Sequence, residues 1–156
     1  AAGAPKVFMA ILYSFFCLLP APRKGDTIPA MKEFAVGNEE LAARAGAMLD
    51  ALRAGRVFIG FDMVADSTGF QWFAANGTNR TVMGEAAAFA PALRLSAKAP
   101  LPCRFTVLKD GSVVCQQQGR ALDWTPPGPG KYRVEGELQV LGDWIPWVYA
   151  NPIELR

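Results

Sequence analysis

The sequence predicts a mainly-β fold: an antiparallel, immunoglobulin-like β-sandwich preceded by one α-helix and an apolar N-terminal segment. Three observations carry this. After Gly55 the hydrophobic period changes from about 3.6 residues to 2, which marks a passage from helix to strands. From there to the end, short apolar or alternating runs recur between Gly, Pro, Asn and Asp signals, as in an antiparallel sandwich. The 156 residues are 51% hydrophobic and 19% charged, which suits one buried core, or one domain with an appendage.

The elements follow in order. Val7 to Leu19 is apolar except for Ser14 and is preceded by Lys6, a pattern shared with signal-peptide cores. No small-x-small cleavage site follows it, because Pro20-Ala-Pro-Arg-Lys24 comes next. As a helix the run would reach roughly 20 Å, against about 30 Å of hydrocarbon, so no membrane span is expected. It reads as a buried element, helix or strand. Pro20 to Pro29 reads as a linker. The helix is placed from Gly37 to Gly55: Asn38 caps it, Glu39 and Glu40 sit in its first turn, and Gly55 ends it. Leu41, Ala45, Met48, Leu49 and Leu52 form one apolar stripe, expected to pack on the domain. Strands are expected at Arg56–Asp62, Gly69–Ala75, Thr81–Met83, Leu93–Ala97, Arg104–Leu108, Val113–Gln117, Tyr132–Val140 and Trp147–Leu155. Asp110-Gly111 forms a hairpin turn, with Leu108 opposite Val113 and Thr106 opposite Cys115.

Charge and cysteine content exclude several functions. The net charge is +2 and only Arg23-Lys24 are adjacent basic residues, so no basic face for nucleic acid is expected. The cysteines, Cys17, Cys103 and Cys115, are too few and odd for a disulfide framework. The hairpin register puts Cys103 and Cys115 on opposite faces, so they read as small buried hydrophobes. With no histidine, the usual zinc sites and any Ser-His-Asp or Cys-His centre are impossible. An all-carboxylate site would have to draw on Asp62, Asp66, Glu85, Glu135 and Glu137. Glu135 and Glu137 share one strand face with Arg133, so a charge-paired, solvated face is the expectation there. Nothing in the sequence sets a glycosidase-like separation between any two of these carboxylates. Neither a phosphate-binding G-x-x-x-x-G-K-[ST] nor a G-x-G-x-x-G is present. The sequons Asn76-Gly-Thr78 and Asn79-Arg-Thr81 suit a hairpin loop.

The tryptophans supply the candidate ligand site. Trp72 lies inside a strand and is expected in the core. Trp124, Trp144 and Trp147 fall near loops or strand ends, where carbohydrate-binding sandwiches place stacking aromatics. They are the candidate binding residues of a stand-alone carbohydrate module, with core filling as the competing role.

The chain also resembles a known family. Pro129-Gly-Lys-Tyr-Arg-Val-Glu135, followed by Trp144-Ile-Pro-Trp-Val-Tyr-Ala-Asn-Pro-Ile-Glu-Leu155, is similar to the closing strands of the β-rich domain that follows the catalytic barrel in PHP-family metallohydrolases of the carbaryl-hydrolase-like branch. Asp50-Ala-Leu-Arg-Ala-Gly-Arg-Val-Phe58, Gly69-Phe70 and Met83-Gly-Glu85 resemble shorter motifs of that domain in the same order, so the likeness spans about residues 48 to 155. The resemblance implies a non-catalytic C-terminal accessory domain over residues 37–156, with residues 1–36 as an apolar segment and linker left from an upstream domain. It implies that the catalytic residues and divalent metals belong to that upstream barrel, so this chain itself carries no catalytic residue, metal ligand or cofactor. The implied partner is that barrel, with a second copy of the chain meeting residues 7–19 as the other surface for the apolar run.

Overall fold

A computed structural model describes residues 8–11 and 38–156, with backbone alone for 8–11 and 38–45. The chain is mainly β, as its hydrophobic periods imply. The elements are β1 (Phe8–Ile11), α1 (Asn38–Arg53), β2 (Val57–Gly60), β3 (Gln71–Asn76), β4 (Asn79–Val82), β5 (Ala86–Ala87), β6 (Arg94–Lys109), β7 (Ser112–Trp124), β8 (Gly130–Val140), β9 (Asp143–Ala150) and β10 (Ile153–Leu155). All ten strands join one curled sheet rather than two separate ones, in the order β1-β2-β9-β8-β6-β3-β4. Strand β7 adds on β6, and β10 pairs with both β8 and β5. The pairs are antiparallel except β1–β2 and β5–β10. The linker Pro20–Pro29 and residues 12–19 of the apolar run lie outside the described residues.

Curling depends on long strands that change partner along their length. Strand β6 pairs with β3 through Arg94–Lys98 and with β8 through Arg104–Lys109. Between these segments lie Pro100 and Pro102, which lack a backbone donor. On the β7 side the register jumps there, from Lys98↔Ala121 to Cys103↔Gly119. A bulge tolerates proline where a ladder does not, and it bends the strand. The two strands expected at Leu93–Ala97 and Arg104–Leu108 are therefore one. The Trp147–Leu155 strand is instead two, broken at Asn151-Pro152 into β9 and β10.

Inward residues alternate along the strands: Leu95, Ala97, Cys103, Phe105 and Val107 of β6, and Tyr132, Val134 and Leu138 of β8. With Trp72, Met83, Leu93, Leu122, Trp147, Ile153 and Leu155 they form one core. Two local devices hold its ends. The Tyr132 hydroxyl donates to the Gly128 carbonyl at 2.6 Å. This back-bond, four residues upstream, is the geometry of a tyrosine corner, and it fixes the stiff Pro126–Pro129 approach to β8. At the other end, α1 closes as the Gly55 signal predicts. Gly55 has φ +68°, its N–H donates to Leu52, and the Arg56 N–H donates to Ala51. These are the paired bonds of a Schellman cap.

The helical stripe differs from expectation. Met48, Leu49 and Leu52 are 49%, 50% and 44% exposed, whereas Ala51 is buried. The helix therefore approaches the described domain on its small-residue side, and its bulky apolar side faces out. No described helix is long and apolar enough to cross a membrane.

Candidate functional site

The structure separates the three candidate tryptophans. Trp147 is fully buried, and its indole N–H donates to the Ala65 carbonyl at 2.6 Å. That bond pins the loop between β2 and β3, which a second contact also holds: the Asp62 carboxylate accepts from the Ser67 hydroxyl at 2.6 Å and from its backbone N–H at 3.1 Å. Trp147 thus occupies a core position rather than a ligand platform. Trp124 is half-buried at the end of β7, packed on the core and tilted against Tyr132 with ring centroids 6.1 Å apart. Trp144 alone of the three stands on the outer side of the sheet.

Register explains where Trp144 sits. Leu141 and Gly142, with φ of 52° and 100°, turn β8 into β9. Counting outward pairs Val140 with Asp143 and Gln139 with Trp144, so the indole shares a face with Gln139 and Glu137. On the neighbouring strands Arg104 lies opposite Glu137, and Gln118 opposite Arg104. The Arg104 guanidinium lies 4.3 Å from the Trp144 ring centroid and meets the Glu137 carboxylate at 2.7 Å. Both ends of that ion pair are about three-quarters covered, which makes it better shielded than an ordinary surface pair. The stack locks the indole from one side. A cleft of about 200 Å³ is lined by Trp144, Gln139, Leu138, Pro102, Cys103, Gly119 and Gln118, but not by Arg104. No described group accepts from or donates to the Gln118 and Gln139 side-chain amides. The turn between Val140 and Asp143 was a findable signal for the Gln139–Trp144 pair. The Arg104 stack was not, because it depends on the pairing of β6 with β8, strands that are not joined by a turn.

The carboxylates do not converge. Asp66 accepts from the Thr68 N–H at 2.8 Å, and hydrogen bonding from the Thr68 side chain, then its backbone, holds the Asp66 pKa below the ordinary value. Glu85 accepts from the Val82 N–H, Glu135 pairs with Arg133 at 2.8 Å, and Glu137 is held by Arg104. Glu135 and Glu137 thus form the charge-paired strand face expected of them. Among the described residues no group of three or more His, Cys, Asp or Glu could hold a metal ion.

Two cysteines are described, and both are free. Burial pushes the Cys103 thiol up to about 12 and raises that of Cys115, so neither is a thiolate at neutral pH. Their placement corrects the expected register. Leu108 does face Val113, but Cys115 faces Val107 rather than Thr106, because a bulge at Val114 shifts the ladder. Both thiols then turn toward the core, Cys103 opposite Gly119, and stay unbridged.

Comparison with protein families, with curated proteins and with solved structures gives no match for the chain.

Proposed function

We propose that this chain is a non-catalytic accessory β-domain that docks on a neighbouring catalytic domain through α1. Its sequence resemblance names that neighbour as the barrel of a PHP-type metal-dependent hydrolase. The observation that carries the reading is the exposed apolar face of α1, formed by Met48, Leu49 and Leu52. Isolated apolar side chains on a surface are ordinary, but three on one face of one helix mark a contact surface. The neighbourhood supports this. Strands β1 and β2 pair in parallel with α1 between them in the chain, a strand–helix–strand crossover typical of α/β domains. Such a unit at the margin of an antiparallel sheet suits a junction with an α/β barrel.

The test is the size of the native product in source cells, by immunoblot against this domain, together with metal-dependent phosphoesterase assay of the immunopurified product. A band several times larger than 16.8 kDa that carries the activity is the expected result. A native product of 16.8 kDa, or a larger one without metal-dependent hydrolysis, overturns the assignment.

A further inference from the structure

We infer that the cleft beside Trp144 is a binding site for a neutral saccharide, with one sugar ring stacked on the indole. This stands apart from the docking reading, since α1 contributes nothing to the cleft. Three features specify the ligand class.

The first is an aromatic platform held rigid. Arg104 covers one side of Trp144 and is itself fixed by Glu137, so the ring loses little freedom when a ligand stacks on it. A pyranose presents a face of C–H groups that matches an indole of this kind.

The second is the polar equipment. The cleft carries Gln118 and Gln139, each able to donate and accept, and neither has a partner among the described residues. Planar amides with both capacities suit vicinal hydroxyls, which also donate and accept.

The third is charge. The cation stacked on the platform is neutralised by Glu137, Arg120 beside the cleft is turned onto the Pro100 carbonyl, and the cleft lining itself carries no charged side chain. A phosphate or carboxylate ligand would find no partner there. A cleft of about 200 Å³ admits one ring, with the rest of an oligosaccharide running over the open sheet face.

The test is titration of the intact chain with soluble gluco-, xylo-, manno- and chito-hexaoses, followed by calorimetry and tryptophan fluorescence. At least one should bind with a Kd at or below about 1 mM, independent of salt between low and high ionic strength. Trp144→Ala should weaken that binding about tenfold or more. Because Trp144→Ala also frees Arg104, the paired Gln118→Ala/Gln139→Ala variant serves as a second probe. It should weaken binding severalfold with an unchanged melting temperature. No binding to any member of the panel overturns the inference. So does binding that survives both variants, or affinity that falls steeply with salt.

Discussion

Trp72 and Trp147 pose a matched experiment. Both indoles are buried, with 1% and 0% exposure. Trp147 donates to Ala65, while the Trp72 indole N–H has no hydrogen-bond partner among the described residues. Substitution by Phe removes a similar volume at each site and costs roughly 1–3 kcal/mol in lost packing at either. The polar part then diverges. Trp147→Phe leaves the Ala65 carbonyl without its donor and releases the loop before β3, adding about 1–3 kcal/mol. Trp72→Phe deletes a buried donor that is already unmet, which offsets part of its packing loss. The expected gap is about 2 kcal/mol or more, with Trp147→Phe the less stable variant. For a domain of this size that corresponds to roughly 4–8 °C in Tm. Urea unfolding followed by far-UV circular dichroism avoids the change in fluorophores, and equal m-values would confirm that the same transition is compared. Equal losses, or a larger loss at Trp72, would refute the reasoning that the Ala65 bond anchors the loop.

Two further outcomes follow from the packing. A Cβ on Gly84 would lie 2.2 Å from the Ala54 carbonyl oxygen and 2.4 Å from the Gly55 carbonyl carbon, at φ +81°. Gly84→Ala should therefore cost about 3 kcal/mol or more, against about 1 kcal/mol for Gly77→Ala in the open β3–β4 turn; similar melting temperatures for the two would show that the helix cap does not press on Gly84. Cys103 supplies a pH signature. Its thiol is raised from 9.0 to about 12 in the fold, so the neutral form is favoured there. That contribution is complete below the unfolded pKa and is lost as pH climbs from about 9 toward 12. Unfolding midpoints measured across this window should fall more steeply for the native chain than for Cys103→Ala, and parallel curves would show that the thiol is not shielded.

The regular parts of the fold were legible, and the irregular ones were not. Asp110-Gly111 marks its hairpin because Asp110 and Gly111 adopt φ of 49° and 89°, a geometry few other pairs accept. Gly55, with φ of 68°, ends the helix for a similar local reason. Proline is a poor fit to a strand, yet Pro100 and Pro102 sit inside β6, because a bulge removes the ladder bonds they cannot make. Val114 leaves no comparable trace: one extra residue in a run of apolar and polar neighbours looks the same on either side of the slip. The stripe on α1 was visible as a stripe, but periodicity gives a face without saying what covers it.

Trp147 lies in the core and Trp144 on the outer face of the sheet, and one bulge divides them. Val148 and Ala150 of β9 point inward, Val148 opposite Gly136. In an unbroken strand the same alternation would carry Pro146 and Trp144 inward as well. Instead the ladder steps from Gly136↔Val148 to Glu137↔Pro146, and Trp147 is the residue left over. The extra residue turns into the core and reverses the alternation beyond it, which puts Trp144 on the outer face with Glu137, Gln139 and Arg104. The Ala65 bond then stabilises the bulge, since it holds the Trp147 indole on the inner side. The outward platform at Trp144 thus depends on an inward anchor three residues away. Any change that straightens β9 would bury Trp144 and close the cleft, even though it touched none of the cleft's own side chains.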